Sequence, residues 1–287
     1  MERKPEWLKV KLPGSGEFSE VKAIIKHYHL HTVCEEAKCP NLGECWGSGT
    51  ATFMILGDMC TRSCKFCATR TGNPHGFLED DEPVRVAMAV REMDLDYVVL
   101  TSVNRDDLED GGANHFARTI REIREAAPDA LIEVLIPDYT DEALKVVVDA
   151  GPDVLGHNIE TVRRLTPIVR DRRFSYEKSL KVLKQAKEFD PQIYTKSSIM
   201  LGLGETREEI IEAMKDLRDI AVDFFTLGQY LRPTPRHFPV ERFIPPEEFK
   251  EYEQIGLEMG FIYVASGPLV RSSYKAAEFF IKSVVKR

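Results

Sequence analysis

Short apolar runs alternate along this chain with segments whose apolar residues recur every three or four positions. The run at 50–57 (TATFMILG) predicts a buried strand. DEPVRVAMAVREM places Val86, Val90 and Met93 on one helical face, and DYVVLTSV reads as the next strand. GGANHFARTIREIREAAP aligns Phe116, Ile120 and Ile123 and is closed by Pro128. The alternation continues with strand ALIEVLIPD, helix DEALKVVVDAG ending at Gly151, strand DVLGHNIE and helix SYEKSLKVLKQAKEF. Strand QIYTKSSIMLGL, helix TREEIIEAMKDLRDI capped by Thr206, strand VDFFTLGQY, helix PPEEFKEYEQIGLEMG and a last short strand FIYVAS complete it. Near-continuous apolar strands between amphipathic helices predict a parallel sheet covered by helices. Six main β/α units are fewer than the eight of a full barrel, so the expectation is an open, partial (β/α)6 parallel barrel. Ahead of it, residues 1–33 are polar and basic. KAIIKHYHLHTV, with Ile24, Ile25 and Tyr28 at helical spacing, predicts a short helix leading to Cys34. Beyond it, SYKAAEFFIKSVV predicts a terminal helix. The chain thus divides into an N-terminal extension (1–49), a core (50–265) and a C-terminal extension (266–287).

Composition narrows the class. The 287 residues, 43% hydrophobic, suffice for one substantial core. A net charge of −8 argues against a nucleic-acid partner. No stretch of eighteen apolar residues exists and the N-terminus has no apolar leader core, so a membrane location is not expected. All six cysteines lie between Cys34 and Cys67, in two groups: Cys34, Cys39, Cys45 and Cys60, Cys64, Cys67. Disulfides suit small secreted domains better than this chain. Structural zinc needs four ligands, so each triplet would need an outside donor such as His31 or His75. Iron–sulfur clusters take closely spaced thiolates, and three leave one iron open for a small molecule. Arg62 and Lys65, interleaved in the second triplet, would offset the cluster's negative charge, and Phe66 would shield it. The alternating histidines 27, 29 and 31 point in different directions on a helix and read as surface and packing residues.

Polar residues gather where a parallel barrel keeps its active site, at the C-terminal ends of strands. Thr101–Asp107, His157–Glu160, Lys196–Ser198 with Gly202, Gly204 and Glu205, and Gln229, Tyr230 and Arg232 all fall there, beside the Cys60 loop. Burying such groups costs free energy unless they are used. Asp106 and Asp107 have a plainer reading as caps of the helix opening near Gly111. GLGE lacks the Lys-Ser/Thr of a nucleotide triphosphatase loop.

Cys60-x3-Cys64-x2-Cys67 resembles the signature of radical S-adenosylmethionine enzymes. The longer run, CEEAKCPNLGECW followed by GTATFMILGDMCTRSCKFC, is similar to the lipoyl synthase family. The resemblance recurs at TSVNRDDLEDGGANHFA, GHNIETV, KSSIMLGLGE, GQYLRPT and GPLVRSSY. It implies the same partial barrel, with both chain extensions meeting over its mouth. It implies a 4Fe-4S cluster on Cys60, Cys64 and Cys67 that binds S-adenosylmethionine, and an auxiliary 4Fe-4S cluster on Cys34, Cys39 and Cys45. The auxiliary cluster's fourth ligand would be a serine of Arg271-Ser272-Ser273-Tyr274, preferably Ser273. Ser102 and Asn104 would hold the methionine amino group, Asn158 and Lys196 its carboxylate or the ribose, and Gly202 and Gly204 would let backbone approach the adenosyl part. The implied reaction places two sulfurs, taken from the auxiliary cluster, at carbons 6 and 8 of a protein-bound octanoyl-lysine. The implied partners are octanoylated lipoyl carrier proteins or domains, an electron donor such as ferredoxin or flavodoxin, and an iron–sulfur carrier that rebuilds the auxiliary cluster. A cytoplasmic monomer is expected. The alternatives are a methylthiotransferase, a non-catalytic iron–sulfur electron carrier and a zinc-stapled binding module. The chain departs from the family pattern twice: Asn104 stands for an Asp, and Asp171-Arg172 for a Pro-Gly after Val169-Arg170.

Overall fold

The computed structural model describes residues 4–10 and 16–273. After a short 3-10 turn (Glu6–Leu8) come α1 (Gly16–His27), β1 (His31–Thr32), α2 (Val33–Glu36), α3 (Leu42–Trp46), β2 (Thr52–Ile55), β3 (Met59–Cys60) and β4 (Arg70–Thr71). Alternation then sets in: α4 (Glu82–Glu92), β5 (Tyr97–Ser102), α5 (Ala113–Ala126), β6 (Leu131–Leu135), α6 (Asp141–Val148) and β7 (Val154–Gly156). It continues with α7 (Thr166–Val169), α8 (Tyr176–Phe189), β8 (Tyr194–Leu201), α9 (Arg207–Asp219), β9 (Phe224–Gln229), α10 (Pro246–Glu258) and β10 (Tyr263–Gly267). The predicted terminal helix lies outside the described residues beyond Ser273.

The main sheet runs β1-β2-β5-β6-β7-β8-β9-β10. Every neighbouring pair from β2 to β10 is parallel; β1 pairs antiparallel with β2 at one edge. The strands are buried on both faces, which explains their unbroken apolar runs. The helices cover the outside with the faces their spacing marked: Phe116, Ile120 and Ile123 of α5 are fully buried. Local chemistry sets their starts. Thr206 and Glu209 form a capping box on α9.

Two sequence expectations change. The helix expected through 22–33 stops at His27, because His29 takes φ 50° and His31 and Thr32 pair with Met54 and Phe53. Sheet pairing with a strand twenty residues on overrides local helical spacing there. Asp106 and Asp107 do not cap α5. Asp110 does, accepting from the Gly112 and Asn114 N–H groups at 2.8 and 2.9 Å.

Inside the barrel, the end opposite the strand tips is plugged. Tyr97, Val99, Leu131, Val154 and Phe224 cluster there. Among these strands Lys196 Nζ meets the Glu133 carboxylate at 2.7 and 2.9 Å, and Tyr97 donates its hydroxyl to the same carboxylate at 2.5 Å. This plug leaves the interior open towards the strand tips.

Candidate active site

The Cys60 loop leaves β3 and returns through β4, which pairs with it in parallel. Arg62 pins it from within. Its guanidinium contacts Asp106 at 2.7 Å and Asp138 at 2.8 Å, and lies 4.2 Å from the centre of the Phe174 ring. Arg170 stacks on that ring at 4.0 Å. Burial opposes the charge of Arg62, but the two carboxylates more than offset it and hold its pKa above normal. Backbone bonds fasten the rest of the loop: Thr61 N–H to the Asn104 carbonyl at 2.9 Å and Lys65 N–H to the Val169 carbonyl at 2.8 Å. The sulfurs are themselves acceptors. Arg62 N–H reaches Cys60 Sγ at 3.4 Å, and Asp171 N–H reaches Cys64 Sγ at 3.3 Å. Burial pushes the Cys64 thiol up to about 12 and raises Cys67 as well. Thiols so placed ionise when a metal takes them, so loading the site releases protons.

The first triplet is carried by α2 and α3. Thr32 caps α2, its hydroxyl accepting from Glu35 N–H at 3.4 Å. Burial pushes Cys34 up to about 11, against the Thr52 backbone and the Trp46 indole, which favour its thiolate. Trp46 is 1% exposed and its Nε1 has no oxygen or nitrogen acceptor among the described residues. An iron-bound thiolate at Cys34 would offer it a sulfur acceptor. Asn41 ties this region to the C-terminal segment, donating Nδ2 to the Leu269 carbonyl at 2.7 Å. That segment crosses β9 at Gly228, where any Cβ would collide with the Val270 carbonyl. Arg271 follows, and burial lowers its pKa.

All six cysteines line one cavity of about 610 Å3, together with Arg271, Ser272 and Ser273. None is in a disulfide. Among the described residues, no three His, Cys, Asp or Glu side chains surround a single-ion position. Zinc needs its ligands on one atom, whereas a cubane distributes thiolates over separate irons. Six thiols outside any disulfide, an unpaired Trp46 N–H donor and the Arg62 and Arg271 cations therefore fit an anionic cluster in each triplet better than they fit zinc.

Ser102, Asn104 and Asn158 line the cavity as their sequence positions suggested. Lys196, Gly202 and Gly204 are not among its lining residues. Lys196 sits lower in the barrel, its ammonium taken up by Glu133. Gly202 has φ 98°, and a Cβ there would meet the Gln229 side chain and the Arg242 carbonyl. Gly204, at φ 102°, faces Glu241. Both glycines take positive φ in a tight turn, which only a residue without a Cβ adopts freely. Lys196→Met is expected to cost about 3–5 kcal/mol by stranding Glu133. A lowered urea midpoint reads this, and adding Glu133→Gln should restore most of it.

Sequence reasoning did not single out Glu160, Arg170 and Phe174 as site residues, yet all three line the cavity. Glu160 has φ 66° and a pKa raised by burial. Arg170 bonds Ser179 Oγ at 2.8 Å and leaves Nε without a partner among the described residues. Glu160 lies in the strand-end polar run; the burial of Arg170 depends on packing that no local pattern reports.

A parallel partial barrel with a three-cysteine loop at its strand tips defines a radical S-adenosylmethionine enzyme. The radical SAM superfamily model matches residues 54–217. A second model, the N-terminal domain of lipoyl synthase, matches residues 1–39. The chain is 59% identical to lipoyl synthase of Thermus thermophilus, over 98% of this chain and 87% of that one. It is 55% identical to lipoyl synthase of Myxococcus xanthus, over 99% and 96%. The chain belongs to the lipoyl synthase family. Solved structures add the fold alone. The hydrogenase maturase HydG of Carboxydothermus hydrogenoformans has a TM-score of 0.58 at 14% identity, over 93% of this chain and 78% of that one. Methylornithine synthase has 0.55 at 16%, over 90% and 79%. Among the described residues, no helix is long and apolar enough to cross a membrane.

Proposed function

We propose that this protein inserts sulfur at carbons 6 and 8 of an octanoyl chain borne on a lysine of a lipoyl carrier protein or domain. The observation that carries this reading is the shared cavity: both cysteine triplets and Ser272 and Ser273 line it. Cys60, Cys64 and Cys67 would hold the cluster that binds S-adenosylmethionine. Cys34, Cys39 and Cys45, with Ser273, would hold the auxiliary one. When bound, these groups supply reductive cleavage of S-adenosylmethionine to a 5′-deoxyadenosyl radical and the sulfur that is transferred.

The protein's own residues orient and shield. Ser102 and Asn104, at and just after the end of β5, would hold the methionine amino group, and Asn158, after β7, the carboxylate or ribose; all three line the cavity. Met54, Val103, Leu135, Ile199 and Met200 give the cavity an apolar wall. That wall suits an acyl chain, each buried methylene contributing about 0.8 kcal/mol. A serine oxygen is a poorer iron ligand than thiolate, so the Ser273 bond would open readily, as sulfur donation requires. The extensions 1–49 and 266–287 would serve the auxiliary cluster and the core 50–265 the radical step. An electron donor such as ferredoxin or flavodoxin and an iron–sulfur carrier complete the cycle. We read the protein as a monomer and place it in the reducing cytoplasm, a placement that six cysteines outside any disulfide support.

The test is anaerobic incubation of reconstituted protein with reductant, S-adenosylmethionine and an octanoyl-lysine peptide. Mass spectrometry should find two added sulfurs and two 5′-deoxyadenosines per peptide. 5′-Deoxyadenosine without sulfur transfer would reject the substrate assignment.

A further inference from the structure

The outer side of the Cys60 loop carries an unbalanced positive charge. Lys65 is exposed, while its neighbours Cys64, Phe66 and Cys67 line the cavity. Two other basic segments are sewn to it. Lys65 N–H donates to the Val169 carbonyl, three residues before Arg172, and the Lys65 carbonyl accepts from Phe238 N–H, two residues after Arg236; both bonds are 2.8 Å. Arg232, at the cavity's edge, folds onto the same segment, donating to the His237 carbonyl at 2.8 Å. Lys65, Arg172, Arg232 and Arg236 are all exposed, and among the described residues none has a carboxylate partner. The acids beside them are neutralised: Asp106 by Arg62 and Arg173, and Asp171 by Arg173. A basic face stands out on a chain of net charge −8.

The same segments touch the cysteines. Asp171 N–H, next to Arg172, donates to Cys64 Sγ at 3.3 Å. The His237 ring, next to Arg236, bonds the Cys67 carbonyl at 2.9 Å. Arg172 and Arg236 are thus each next in sequence to a residue that contacts a cysteine.

We propose that this face docks an acidic one-electron carrier protein and orients it against the Cys60 loop. The proposal rests on the site reading above. Each carrier gives up one electron, and that electron is consumed when one S-adenosylmethionine is cleaved to methionine and a 5′-deoxyadenosyl group. Acidic surface elsewhere on this chain repels such a carrier, so encounter is steered to the basic face.

The test compares wild type with Arg172→Glu/Arg236→Glu and the charge-preserving Arg172→Lys/Arg236→Lys. 5′-Deoxyadenosine formation is followed with reduced flavodoxin and, separately, with titanium(III) citrate, across ionic strength. With flavodoxin at low salt, charge reversal should slow the reaction about tenfold or more and flatten its salt dependence. The lysine variant should stay near wild type, and all three should match with titanium(III). Equal loss with both reductants, or none with flavodoxin, overturns the proposal. A raised KM for an octanoylated carrier protein with unchanged flavodoxin dependence assigns the face to the substrate and also overturns it. Wild type inactive with titanium(III) overturns the site reading, and this proposal with it.

Discussion

Cys64→Ala is expected to bring 5′-deoxyadenosine formation to background, whereas Cys39→Ala keeps it and loses only sulfur transfer. Both thiols line the same cavity, but different elements support them. Cys64 lies in a loop held by Arg62, Asp106 and the Val169 carbonyl. Cys39 follows α2, and the nearby Asn41 is tied to Leu269. Neither support passes through the other, so losing one thiolate should unload one triplet only. Iron should fall from about eight per chain to about four in each variant. Cys64→Ala removes one acceptor, the Sγ that takes the Asp171 N–H, while the loop's other hydrogen bonds, made by backbone and by Arg62, remain. Reconstituted variants assayed by iron and sulfide analysis, with product mass spectrometry, check this. 5′-Deoxyadenosine at wild-type rate from Cys64→Ala would remove this triplet from the radical step.

The sheet was legible because parallel strands buried on both faces leave unbroken apolar runs, such as Tyr97–Leu100 and Phe224–Leu227. Helices showed equally well in the spacing of Phe116, Ile120 and Ile123. The cysteine triplets were legible because a cluster needs its thiolates close in sequence. What stayed hidden depends on depth and on distant partners. Lys196 shares the inward side of β8 with Ser198 and Met200, which line the cavity. Alternation gives the face of a strand but not the height along the barrel. That height is fixed by Glu133, sixty-three residues away. Gly202 suggested ligand approach, but the space it leaves is filled by Gln229 from the neighbouring strand. Local helical spacing likewise hid the β1 pairing that ends α1.

Gly228→Val is expected to abolish lipoyl product, or reduce it about a hundredfold, while leaving 5′-deoxyadenosine formation largely intact. Gly228 pairs with Met200 and Gly267 in the middle of three parallel strands. Its φ is not in the left-handed region, so the strand itself accepts a side chain. The obstacle is the C-terminal segment. The Val270 carbonyl lies where a Cβ would go, and the Arg271 guanidinium lies just beyond at 3.2 Å. A backbone carbonyl cannot swing away as a side chain tip can, so the segment must lift. Overpacking of this kind costs about 1–3 kcal/mol. Lifting strains the 2.7 Å bond from Asn41 to Leu269 and carries Ser272 and Ser273 away from the first triplet. The Cys60 loop lies on other elements and keeps its geometry. Ser273→Ala provides the comparison, because it removes the oxygen without moving the segment. If Ser273 is the working ligand, both variants uncouple adenosine formation from sulfur transfer. If only Gly228→Val does so, the segment's position matters and the ligand is Ser272. Full lipoyl yield from Gly228→Val, measured on the octanoyl-lysine peptide, would show that sulfur insertion does not need the C-terminal segment at all.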